Sequence, residues 1–140
     1  MNDELKTILN PSAGEYRNKG SKFYSFAFSF SSQKEIKQNL DKLKEKYPDA
    51  THICYAYRLN LQNRIDDFST DSGEPGGSAG IPILNTLKRK NLVNAVVFVI
   101  RYYGGSKLGI SGLIKAYGLA SENSLLNAKI IRLQQLSQIT

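Results

Sequence analysis

Two glycine-rich stretches hold most of the residues in this chain that could do chemistry. The first is Ser72-Gly73-Glu74-Pro75-Gly76-Gly77-Ser78-Ala79-Gly80; the second is Gly104-Gly105-Ser106-Lys107-Leu108-Gly109-Ile110-Ser111-Gly112. Each runs straight into a segment with helical periodicity. A loop that opens a helix gathers free backbone N–H groups at the positive end of the helix dipole. With Arg101 and Lys107 alongside, this is chemistry for holding an anion, phosphate groups of nucleic acid above all. The binding residues expected on this reading are Glu74, Gly76, Gly77, Ser78, Gly80, Arg101, Gly104, Gly105, Lys107, Gly109, Ser111 and Gly112, with both loops facing one hollow of positive potential.

The second stretch argues against nucleotide chemistry. The order Gly104-Gly105-x-x-x-Gly109-x-x-Gly112 lacks the dinucleotide spacing, and Lys107 precedes its glycine, unlike the lysine of a phosphate loop. A helix end contributes ~0.3–1 kcal/mol toward a nearby charge. Useful affinity therefore requires several phosphates at once. No catalytic residue, cofactor or metal is expected, and an enzymatic role is disfavoured without being excluded.

Two other constellations carry sharper readings. His52 and Cys54 lie on one face of a strand and suggest a nucleophilic dyad. Same-face neighbours stand ~6.5–7 Å apart, too far for the hydrogen bond a dyad needs. They are read instead as small or amphipathic residues on the open face of a sheet. Asp66, Asp67, Asp71 and Glu74 bring four carboxylates together, as a magnesium site would. Solvated turn carboxylates, with Asp71 accepting backbone N–H bonds in the loop, are the favoured reading.

These residues need elements to position them. Ser21–Phe30 alternates, with Tyr24, Phe26, Phe28 and Phe30 on one face, which predicts a strand whose aromatic face is core. The alternative is a stacking platform for bases. Ser32-Gln33-Lys34-Glu35 is a capping box, followed by Ile36, Leu40, Leu43 and Tyr47 at helical spacing before Pro48. Strands follow over Thr51–Asn60 and Arg64–Thr70. A helix starts near Pro82 and ends at Lys88-Arg89-Lys90, where basic residues complement the dipole. Residues 94–100 form an apolar run typical of a strand buried on both faces. The last clear helix begins at Ser111 or Gly112, with a stripe of Leu113, Ile114, Tyr117, Ala120, Ser124 and Leu125. Residues 1–20 read as a polar opening segment, 21–128 as the domain, and 129–140 as a C-terminal tail that is helical or loose.

At 140 residues, with 41% hydrophobic and 22% charged residues, the chain has the size and composition of one globular domain. The single cysteine excludes an internal disulfide and fits a reducing cytoplasm. No apolar run approaches the ~20 residues of a membrane span, so no membrane partner is expected. The net charge of +7 is unevenly placed: residues 75–140 hold eight basic residues against Glu122 alone. That asymmetry points to an acidic partner.

Asp71-Ser72-Gly73-Glu74-Pro75-Gly76-Gly77-Ser78-Ala79-Gly80-Ile81-Pro82, taken with Arg101-Tyr102-Tyr103-Gly104-Gly105-Ser106-Lys107-Leu108-Gly109, resembles the signature of the IMPACT family, YigZ-like in its bacterial branch. Lys19-Gly20-Ser21-Lys22-Phe23 and His52-Ile53-Cys54-Tyr55-Ala56-Tyr57-Arg58 extend the resemblance over roughly residues 15–128. It implies the α+β fold of the second domain of a small-subunit ribosomal protein, a four-stranded sheet with helices packed on one face. It also implies nucleic-acid binding in bacterial members, and translation regulation through a protein partner in eukaryotic ones. It supplies no catalytic residues, although some relatives have been labelled peptidases. Ser72 follows Asp71 where the family pairs two acids, which weakens a metal role. Bacterial members tend to carry a C-terminal ferredoxin-like domain, which is not expected here. Three functions compete: a module binding RNA or a phosphate-bearing ligand, a protein-interaction domain of the translation machinery, and a metal-dependent hydrolase or phosphotransferase.

Overall fold

Alternation and helical spacing translate into ten elements. The computed structural model describes residues 4–133. In chain order they are β1 (Lys6–Ile8), β2 (Ser12–Asn18), β3 (Ser21–Ser29), α1 (Gln33–Lys46), β4 (His52–Asn60), β5 (Ile65–Thr70), α2 (Gly80–Arg89), β6 (Ala95–Tyr102), α3 (Gly109–Leu126) and β7 (Ile130–Arg132). The main sheet is antiparallel with the order β2-β3-β6-β4-β5. Among the described residues β1 and β7 form a separate two-stranded sheet.

The α+β class is as expected, with five strands in the sheet where four were anticipated. The additional strand, β2, lies in the segment read as a polar opening. Its alternating burial marks an edge strand, half of it wet. Its sequence, Ser12-Ala13-Gly14-Glu15-Tyr16-Arg17-Asn18, has too few β-branched residues to announce a strand. Pairing with β3 and contact with α3 hold it instead. The Asn123 and Asn127 side-chain amides donate to the Glu15 and Ala13 carbonyls at 2.8 and 2.9 Å. The stretch after α3 likewise contains β7, because Ile130–Arg132 finds β1; the rest of the expected tail, from 134 onward, lies outside the described residues.

The central strand β6 is buried along its whole valine-rich run, as its sequence predicts. One of its faces meets α2 and α3 in a cluster that includes Phe23, Cys54, Ala56, Ile83, Leu87, Leu113 and Tyr117. The other meets α1, with Ile36, Leu43, Phe30, Tyr57, Val96, Phe98 and Ile100. The helices therefore cover both faces. On the face of β4 expected to be open, Cys54 and Ala56 are fully buried, with His52 and Arg58 partly covered at its ends.

In β3 the aromatic face joins the α1 side of the core as expected, with Phe30 just beyond it buried, but the two faces are covered to different depths. Ser25 and Ala27 are inaccessible, whereas Tyr24, Phe26 and Phe28 are only half-buried. The reason is proximity: α3 packs so closely that Ser25 donates its hydroxyl to the Ala120 carbonyl at 2.6 Å, and only small side chains fit. α1 keeps its capping box, with the Glu35 carboxylate accepting the Ser32 and Ser31 backbone N–H groups at 3.1 and 3.0 Å.

Candidate functional site

The first glycine loop is built around two acids with different jobs. Asp71, just beyond β5, accepts three amides of the loop: Gly77 at 2.9 Å, Ala79 at 3.1 Å and Gly80 at 2.8 Å. These are the N–H groups at the start of α2 that would otherwise face a ligand, so the chain supplies its own anion there. Glycine is required at position 80, where an added Cβ would stand 2.7 Å from the Thr70 backbone. Burial works to raise the Asp71 pKa, and the Gly77, Gly80 and Ala79 amides outweigh it, leaving the group below its ordinary value.

A carboxylate with a depressed folded-state pKa stabilises the fold above its unfolded value, near 4, and loses that contribution as pH falls through the folded value. Asp71→Ala is expected to cost ~0.5–2 kcal/mol at neutral pH, as for loss of a helix cap. Its stability deficit should shrink as pH falls below about 4. Urea titrations at neutral and acidic pH check this, and a deficit that does not change with pH would refute the assignment.

Glu74 turns inward. Its carboxylate accepts two hydrogen bonds from one Arg101 nitrogen, at 3.0 and 2.7 Å, and one from the Tyr117 hydroxyl at 2.5 Å. His52 Nε2 stands 3.6 Å away. Both members of the ion pair are buried, their side chains 4% and 6% exposed. Arg101 also donates to Ser21 Oγ at 3.2 Å, and its guanidinium lies 5.5 Å from the Phe23 and Tyr103 rings. Its Nε, also buried, has no hydrogen-bond partner among the described residues.

Cys54 and His52 do not meet. The thiol donates to the Asp71 carbonyl at 3.1 Å and contacts the Tyr117 hydroxyl, while His52 Nδ1 lies 2.9 Å from the Ser72 carbonyl oxygen. Burial pushes the Cys54 thiol up to about 12, so it stays protonated and unreactive at neutral pH. Burial likewise raises the Tyr117 hydroxyl, keeping it a donor to Glu74. The other acids are engaged separately, Asp66 with Arg64 and Asp67 with Arg58 and Lys88. Among the described residues no three His, Cys, Asp or Glu side chains gather in a metal-binding group.

The second glycine loop is arranged differently. Gly104, Gly105, Lys107, Gly109 and Ser111 are exposed. The N-cap of α3, Leu108, makes no side-chain cap, and the first turn of the helix holds no acid. At its base the loop rests on the β2–β3 turn: a Cβ at Gly104 would fall 2.0 Å from the Gly20 carbonyl carbon. Ser21 Oγ accepts the Gly104 N–H at 3.3 Å. This contact brings Lys19 and Lys22 to the end of the molecule where Lys107 stands.

The expected site residues therefore divide. Glu74, Ser78, Gly80 and Arg101 are buried and engaged within the protein: Glu74 pairs with Arg101, Ser78 donates to the Pro75 carbonyl at 2.6 Å, and Gly80 donates to Asp71. Gly76 and Gly77 are exposed on the first loop. Gly112, within α3, sits against Leu108. Sequence reasoning did not assign Ser21 or Tyr117 to the polar cluster, nor Lys19 and Lys22 to the surface. The Lys19–Phe23 motif was the available signal for three of these. Tyr117 was legible only as part of the core stripe, which does not reveal where its hydroxyl points. Among the described residues no helix is long and apolar enough to cross a membrane.

Comparison with known proteins places this arrangement. Residues 19–125 match the Impact N-terminal domain. The chain is 36% identical over 111 residues to the IMPACT family member YvyE of Bacillus subtilis, covering 79% of this chain and 51% of that protein. A solved structure described as that of a hypothetical protein superposes with a TM-score of 0.85 at 26% identity, covering 99% of this chain and 74% of the other. The two-domain translational regulator Yih1 shares the fold at a TM-score of 0.50 and 23% identity, over 91% of this chain and 49% of its own. The chain spans about half the length of the first of these relatives. Matched along most of its length, glycine loops included, the chain belongs to the IMPACT family through its Impact N-terminal domain.

Proposed function

We propose that this domain binds RNA through the second glycine loop and the β2–β3 turn, in the setting of translation regulation. The observation that carries the reading is the packing of Gly20 against Gly104, which joins Lys19 and Lys22 to Lys107 at one end of the molecule. Among the described residues none of these three lysines forms an ion pair, whereas Lys88, Arg89, Lys90 and Arg101 all have carboxylate partners. Three lysines without an ion pair thus stand at the surface where an uncapped helix N-terminus opens. Phosphates of a strand crossing it would meet lysines and backbone amides together. The setting follows from membership of a family whose fold is shared by a protein described as a translational regulator.

The Lys19→Ala, Lys22→Ala, Lys107→Ala triple variant tests the proposal. Its affinity for labelled single-stranded RNA should fall to a similar extent for all base sequences. Its salt slope between about 50 and 200 mM should flatten by ~0.7 for each phosphate that is no longer neutralised, so by up to ~2 in all. Fluorescence anisotropy measures both quantities. A slope equal to that of the unaltered protein would remove this surface from consideration.

A protein-contact role has one observation in its favour. Between α2 and α3 lies a groove lined by Ile81, Pro82, Ile114 and Leu126, of which Leu126 is 73% exposed. Binding there would be insensitive to nuclease, which separates it from the first reading.

A further inference from the structure

Next to the second glycine loop the sheet carries a pocket lined by Gly20, Lys22, Tyr24, Tyr47, Tyr102 and Tyr103. It exists because the aromatic face of β3 is covered by α1 only in part. Tyr24 and Tyr47 lie nearly parallel, their centroids 6.3 Å apart, and Tyr102 stands edge-on to both at 6.0 and 6.5 Å. Lys22 is the cross-strand neighbour of Tyr102. The Lys46 ammonium stands 5.5 Å from the Tyr47 ring centroid. One acid, Asp49, is close enough to act on Tyr102. Tyr103, 48% exposed, is held from beneath by the Arg101 guanidinium.

From this geometry we infer that the tyrosine pocket is a stacking site for unpaired nucleobases, so that the domain binds single-stranded RNA in preference to duplex. The inference rests on the RNA-binding reading above and adds the form of the nucleic acid. Aromatic faces beside a cationic track are the means by which proteins hold single strands, since every base offers a π-face and the phosphates follow the charge. Here the track is Lys19, Lys22 and Lys107, and the pocket shares Gly20 with it. In a duplex the bases are already stacked on one another and cannot enter. Tyr103 has little to rearrange on binding, because its ring is already packed on Arg101.

A labelled oligouridine and a blunt RNA duplex of equal length, each titrated against the full chain, supply the test. The unaltered protein should bind the oligouridine more tightly. Tyr102→Leu combined with Tyr103→Ala should weaken oligouridine binding on the order of tenfold per base displaced. Duplex binding should hold steady in that variant, which also shows that it is folded. Tyr103→Phe, which keeps the ring, should bind as the unaltered protein does. If the double variant binds oligouridine normally, or if the unaltered protein binds both RNAs equally, the pocket is not a base site, although the lysine surface survives. If the unaltered protein binds neither RNA at low salt, both this inference and the RNA reading fall.

Discussion

Replacing Glu74 by alanine is expected to cost ~3–5 kcal/mol of folding stability, the usual range for breaking a buried ion pair from one side. The substitution would leave the Arg101 guanidinium without its carboxylate, in a site where that side chain is 6% exposed. It would also leave the Tyr117 hydroxyl without its acceptor. Domains of this size are stable by ~5–15 kcal/mol, so the loss would remove much of the margin. The first glycine loop should respond most, because Glu74 is the side chain that ties it to β6 and α3. Urea denaturation followed by circular dichroism measures the effect. The combination Glu74→Leu with Arg101→Met should recover a good part of the loss, since an apolar pair carries no stranded charge. A change within about 0.5 kcal/mol for Glu74→Ala would mean that the pair is solvated and that the cluster does not brace the loop.

Gly104→Ala is the second large effect, expected to cost ~1–3 kcal/mol by overpacking. A methyl group there would lie 2.0 Å from the Gly20 carbonyl carbon and 2.4 Å from the Ser21 nitrogen. Both are backbone atoms, so no flexible side chain can yield, and the β2–β3 turn must move away from the loop. The same displacement separates Lys19 and Lys22 from Lys107, so RNA affinity should fall in those molecules that remain folded. Gly76→Ala is the control: its added Cβ meets nothing within 4 Å, and its φ lies outside the left-handed region. Equal urea midpoints for the two variants would contradict the close approach of Gly20 and Gly104.

Much of this was legible along the chain. Period two over β3 and β4, the valine-rich run of β6, the capping box of α1 and the basic last turn of α2 are local patterns, and each formed the element it predicts. β2 and β7 were not legible, because their pairing partners, rather than their own residues, make them strands. The aromatic face of β3 was legible as core, whereas the burial of its other face was not. Alternation separates aromatic from small residues, yet the nearness of α3 decides how deeply the small set is covered.

The candidate site divides along the same line. Residue types and spacing alone determined that two glycine loops open two helices, that the basic surplus lies in residues 75–140, and that the second loop lacks the spacing of the phosphate-loop and dinucleotide motifs. Tertiary structure decided which of those charges remain available. Arg101 and Lys107 look alike as cations near a glycine loop, but Arg101 meets Glu74, 27 positions away, whereas Lys107 stays exposed. The start of α2 receives the carboxylate of Asp71, and the start of α3 receives none from its own first turn. A carboxylate cancels a cation or a helix dipole only when folding brings the two within a few ångströms, and separation along the chain does not measure that distance.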